Sequence, residues 1–302
     1  MIAKKEITVL LGVIIMMTMF VNPIHGSAAI KTDQPSDPEH KQLEKTDYNI
    51  HYYITGKEHD QAIVFIHPAF ADHRSWNTQI HHFSKHFCII TLDMLGHGQS
   101  QFEQTTDTID LTVDHIDEIL TIEGYDSAHI VGASLGSIIG QYFAYQYPEK
   151  TKSVTVLGGY YIHEIDKTLL RHQLVEQIKW MFMFVFAFNY FKTVYLPKES
   201  VITEQAQHQF AEMTSLFQKQ SFQAMSGSSA ILKNRDIETL GFPLLLIHGE
   251  YERTIIQDVT ESWHQTDPQS QLKIIPQSGH VANMDNPTGF NTILSNFLST
   301  IS

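Results

Sequence analysis

The feature that most restricts the fold of this chain is a series of short apolar segments, each of strand length, with helix-compatible stretches between them. Ala62-Ile63-Val64-Phe65-Ile66 is apolar without a break, as expected of a strand covered on both faces. Phe87 to Leu92, His129 to Val131, Val154 to Leu157, Pro243 to Ile247 and Leu272 to Ile275 are segments of the same kind, and Tyr48 to Tyr53 alternates with period two. Leu111, His115, Ile119 and Ile122 are spaced for one helical face, and Ile138, Tyr142 and Tyr145 for another that Pro148 ends. This alternation predicts an α/β fold, a mostly parallel central sheet flanked by helices. Its chemistry then gathers in loops at the carboxyl ends of the strands.

The alternation stops between about 160 and 240. That stretch holds no convincing strand and is too long for a bare loop. It reads as an inserted helical subdomain. Its run Trp180 to Phe191 is rich in aromatic side chains and, at 12 residues, too short to span a bilayer. The run reads as the lining of an apolar pocket; the competing reading is a face that touches lipid.

Ahead of the first strand-like segment, Lys4 and Lys5 precede an uncharged apolar run from Ile7 to Val21, and Gly26 to Ala29 supply small residues. This is the layout of a signal peptide over 1–29, which predicts export; an uncleaved membrane anchor is the alternative. Residues 30–46, with Pro35 and Pro38, read as a flexible spacer leading to a domain over 47–302.

The net charge of −13 repels phosphate backbones, so a nucleic-acid partner is not expected. The single cysteine, Cys88, excludes an intramolecular disulfide and reads as strand filler. His81, His82 and His86 share a helix-like stretch without accompanying carboxylates or cysteines, so they read as a solvated face and no metal or cofactor is expected.

The chemistry concentrates at Gly132-Ala133-Ser134-Leu135-Gly136, a G-x-S-x-G turn between a strand and a helix. A serine hydroxyl is a weak nucleophile and needs a base. His280, preceded by Gly279 in the loop after the last strand, is the candidate. An acid must orient it, and in the loop after Leu244 to Ile247 both Glu252 and Glu250 qualify by position, Glu252 being preferred. Oxyanion donors are expected from the backbone N–H of Leu135 and from the loop His67-Pro68-Ala69-Phe70. Pro68 has no N–H, which leaves Ala69 or Phe70.

Taken together, five segments resemble the α/β-hydrolase fold superfamily in its esterase, lipase and peroxidase-like branch. They are His67-Pro68-Ala69-Phe70 through Trp76, the D-x-x-G-x-G-x-S loop Asp93 to Ser100, the elbow Gly132 to Gly136, His248 to Glu252, and Gly279-His280. The resemblance implies Ala69 as the second oxyanion donor, Glu252 as the acid, and the insertion as a helical cap over an acyl pocket. Three positions depart from the pattern: Pro68 for a glycine, Ser137 after Gly136, and Glu252 where aspartate is usual. The expected function is a serine hydrolase that cleaves a carboxylic ester of a small, largely apolar substrate through an acyl-enzyme; membrane contact through the cap or an uncleaved amino-terminal segment belongs to the competing readings. A ligand-binding or signalling protein on the same fold, or an acyltransferase, is the alternative.

Overall fold

The computed structural model describes residues 37–163, 178–232 and 241–301. The signal-peptide region and parts of the cap insertion lie outside these residues. Eight strands form one sheet in the order β1-β2-β4-β3-β5-β6-β7-β8. They are β1 (Glu39–Glu44), β2 (Asn49–Thr55), β3 (Ala62–Ile66), β4 (Cys88–Leu92), β5 (Ala128–Ala133), β6 (Thr151–Leu157), β7 (Leu244–Gly249) and β8 (Gln271–Ile275). β1, β2 and β4 pair antiparallel, and every pairing from β4 to β8 is parallel.

Side-chain alternation in the buried strands sets up two cores. Ala62, Val64 and Ile66 face helices α2 (Thr112–Glu123) and α3 (Leu135–Gln146), where they meet Ile116, Ile119, Ile139 and Phe143. Ile63 and Phe65 point to the opposite face. There they meet α1 (Asn77–Phe83) and the carboxyl-terminal helix Pro287–Leu298, with Trp76 stacked on Phe65 at 4.8 Å. Cys88 is buried in β4, and burial pushes its thiol up to about 11, which leaves it inert.

Two expectations are corrected. The spacer assigned to 30–46 contains β1, paired along its length with β2 from Glu39↔Ile54 to Glu44↔Asn49. Its sequence hides it because β1 is an edge strand, where only Leu43 needs to be apolar and charged residues are favoured. Lys41 fastens this edge to α2 by donating to Glu123 at 2.8 Å. On α2 itself Ile122 is 60% exposed, and the buried stripe runs through Val113, Ile116, Ile119 and Leu120. Of the face expected from Leu111, His115, Ile119 and Ile122, His115 and Ile119 are buried, and Ile122 at the end of the helix is the position that departs from it.

Several histidines are folded into this framework as neutral groups. Burial pushes His97 down to about 3, and His115 and His129 down to about 4. In the unfolded chain the same imidazoles take up protons near their ordinary value of 6.5. Because the folded values are depressed, the stability they confer is whole above that ordinary value and is lost as pH falls towards the folded values. The urea midpoint is expected to decline steadily from about pH 7 to about pH 4. A flat profile over that interval would show that the three imidazoles are not held neutral.

Candidate active site

The turn between β5 and α3 places Ser134 at φ 50° and ψ −115°, a backbone region that side chains other than glycine rarely occupy. Surrounding groups hold it there. Ser134 N–H donates to Leu157 O at 2.8 Å, and Ser137 Oγ donates to Ser134 O at 2.6 Å. The flanking glycines are needed for space: a Cβ on Gly132 would lie 2.2 Å from Gly136 O, and one on Gly136 would lie 2.2 Å from Ile66 O. Ser137, one of the three departures from the family pattern, therefore acts as a brace for the nucleophile's own carbonyl.

His280 arrives from the loop after β8. Its Nε2 lies 2.8 Å from Ser134 Oγ and its Nδ1 lies 2.6 Å from Glu252 Oε2. An ionised carboxylate only accepts, so Nδ1–H donates to Glu252 and Nε2 is left to accept the serine proton. Glu252 is fully buried at its side chain, and its other oxygen accepts from Arg253 N–H at 2.8 Å. Burial pushes its carboxyl up. The adjacent His280, by charge and hydrogen bond, and Arg253 more than offset this and hold it below the usual range. Glu250 instead receives Gln277 N–H at 2.8 Å on the exposed surface, so of the two candidates only Glu252 meets the imidazole.

The longer reach of a glutamate is accommodated by a residue the sequence did not flag. Gly158, at φ 61° just after β6, lies beneath the pair: a Cβ there would sit 3.0 Å from His280 Nδ1 and 3.1 Å from Glu252 Oε2. Its only sequence signal is a Gly158-Gly159 dipeptide at the carboxyl end of a strand.

The loop after β3 is fixed by His67. Its Nδ1–H donates to Pro68 O at 2.8 Å, and its Nε2 accepts Met94 N–H at 3.0 Å. Burial pushes His67 down, against the pull of Asp93, and a neutral ring suits one donated and one accepted bond. Holding the Pro68 carbonyl also orients the N–H of Ala69 in the same planar peptide, on the opposite side. Among the described residues the Ala69 N–H has no protein acceptor. Leu135 opens α3, so its N–H has no partner within the helix. Phe70, at φ 68°, drives its ring into the cap against Trp180, Phe191, Phe217 and Phe222.

The D-x-x-G-x-G-x-S loop is scaffolding. Asp93 accepts from His73 N–H at 2.9 Å, His73 Nδ1 at 2.8 Å and Gln99 N–H at 2.9 Å. Asp72, His73 and Asp93 form the one ligand-like grouping among the described residues, but those bonds and the Arg74–Asp72 ion pair at 2.6 Å already occupy their oxygens.

The described cap comprises α4 (residues 178–186), α5 (Leu196–Ser200), α6 (Glu204–Ser215) and shorter turns. The aromatic run has a packed side and an exposed side. Trp180, Met183 and Phe191 join Phe70 and Phe210 in an apolar cluster, whereas Met181, Phe182, Val185 and Phe186 are 55 to 73% exposed. Among the described residues no helix is long and apolar enough to cross a membrane.

Residues 61–185 match a family described as alpha/beta hydrolase fold. The thermophilic esterase from Thermogutta terrifontis superposes with a TM-score of 0.72 at 16% identity, over 87% of this chain and 99% of that one. The chain has the α/β-hydrolase fold. It is 22% identical to epoxide hydrolase 3 of Mus musculus, over 83% of this chain and 74% of that protein. It is 24% identical to 3-oxoadipate enol-lactonase 1 of Acinetobacter baylyi, over 82% and 92%. These relatives are hydrolases.

The geometry separates the two glutamates experimentally. Replacing Glu252 by Gln leaves the imidazole with no anion to balance its protonated form, and is expected to lower kcat by about 10²- to 10⁴-fold. Glu250→Gln is expected to change it less than about twofold. Steady-state kinetics on any turned-over ester checks both; equal losses would refute the assignment.

Proposed function

We propose that this protein hydrolyses carboxylic esters of small, largely apolar substrates through an acyl-enzyme on Ser134. The observation that carries the proposal is the unbroken line Ser134 Oγ, His280, Glu252, with contacts of 2.8 and 2.6 Å. His280 Nε2 takes the hydroxyl proton as Oγ attacks the carbonyl carbon. The resulting oxyanion lies within reach of the N–H groups of Leu135 and Ala69, the first at the positive end of α3. The tetrahedral intermediate collapses, the leaving alcohol takes its proton from His280, and water activated by the same base releases the acid.

Relatives that act on lactones and on epoxides bracket the choice of electrophile. A serine that opened an epoxide would be left as an ether, which water does not cleave under mild conditions. A serine that attacks an ester carbonyl forms a new ester, which the same base can hydrolyse. Serine at the elbow therefore favours the acyl substrate.

The exposed half of α4 supports contact with a lipid–water interface beside this activity. Met181, Phe182, Val185 and Phe186 form a contiguous outward stripe, and from Ile178 to Lys198 the chain carries three lysines and no carboxylate. A protein of net charge −13 would meet a lipid surface most easily at such a place. The amino-terminal leader pattern supports the same setting, outside the cytoplasm.

Ser134→Ala is expected to reduce turnover of p-nitrophenyl esters by at least about 10³-fold, and to abolish covalent labelling by a fluorophosphonate. Labelled protein that retains its activity, or a wild-type chain that does not label, would reject the acyl-enzyme. The double variant Phe182→Ser, Phe186→Ser is expected to lose binding to neutral phospholipid vesicles while keeping short-chain ester turnover within about twofold. Unchanged co-sedimentation with vesicles would remove the interfacial reading.

A further inference from the structure

The backbone on both sides of His280 is held by the cap. Asp285, five residues beyond the base, accepts Gly279 N–H on Oδ2 at 2.9 Å. The same carboxylate accepts Ile202 N–H at 2.9 Å and Thr203 N–H at 2.9 Å on Oδ1. Thr203 is the N-cap of α6, so Asp285 sits at the positive end of that cap helix. On the other side of His280, Val281 N–H donates to Ser200 O at 2.8 Å. The fit is close as well as polar: a Cβ on Gly279 would lie 3.1 Å from Ile202 Cγ2.

We infer that Asp285 is a positioning residue that makes the alignment of His280 depend on the seating of the cap turn 200–203. The proposal rests on the acyl-enzyme reading above only for its kinetic readout. The physical ground is the arrangement of donors. Three N–H groups from two segments, the cap turn and the base loop, converge on one carboxylate, and His280 lies between Gly279 and Val281, the two residues bonded across. A displacement of the cap turn pulls on both neighbours of the imidazole, and small misplacements of a catalytic group reduce rate steeply. An amide at position 285 offers one acceptor oxygen and turns an NH₂ towards N–H donors, so it breaks the clamp without changing the side chain's size.

The test compares full-length wild type, Asp285→Asn and Asp285→Glu. For Asp285→Asn, fluorophosphonate labelling of Ser134 is expected to go to completion about 10- to 100-fold more slowly, with KM for p-nitrophenyl butyrate within about twofold of wild type. Amide hydrogen exchange is expected to quicken together at 200–203 and 279–281. Asp285→Glu keeps the charge and is expected to fall between the two, and it carries the same comparison if Asp285→Asn does not fold. A merely destabilised protein behaves differently: the labelled fraction shrinks while the rate of the folded part is unchanged. That result, or faster exchange at only one of the two segments, overturns the inference. Wild type that does not label at all would sink the acyl-enzyme reading, and the paired exchange measurement would then decide the clamp alone.

Discussion

The contact between Ser134 Oγ and His280 Nε2 joins two residues 146 positions apart, and the rest of the structure can be read as what makes that contact possible. Neither side chain is placed by its own local preference. Ser134 sits in a disfavoured backbone region that two glycines, the Leu157 carbonyl and the Ser137 hydroxyl together impose. Strain of this kind costs about 1–3 kcal/mol and persists only where neighbours over-determine it. The parallel sheet supplies those neighbours, because β3, β5 and β6 end side by side at the turn.

Electrostatics completes what sterics begins. Glu252 is a buried carboxylate, and burial alone would favour its neutral form. It stays ionised because the imidazole and Arg253 lie against it, and in that form it fixes which nitrogen of His280 carries the proton. Gly158 leaves the room that lets a glutamate do this where the family pattern has an aspartate. His67 plays a comparable part in the oxyanion loop, as a neutral ring whose two nitrogens hold two different strand ends in register.

The cap is tied to this machinery at two places of different character. One is apolar, the aromatic nest of Trp180, Phe191, Phe217 and Phe222 around Phe70. The other is polar, the Asp285 clamp beside His280. The first packs cap side chains against Phe70 in the loop after β3. The second links cap and base through backbone hydrogen bonds.

The amino-acid sequence by itself determined the alternation of buried strands and helices, the serine turn and the histidine loop. Each is a local pattern: uninterrupted apolar runs such as Ala62 to Ile66, or glycines spaced around Ser134. It did not reveal β1, because an edge strand such as Glu39–Glu44 needs few apolar residues, nor that Ile122, at the end of α2, points to solvent. Only the tertiary structure put Glu252, already preferred over Glu250, against the imidazole, revealed Gly158 beneath that pair, and divided the aromatic run between an inner and an outer face. These are decisions about distance between segments remote in the chain. Two glutamates two residues apart both qualify by position along a sequence, and what separates them is the 2.6 Å between one oxygen and an imidazole.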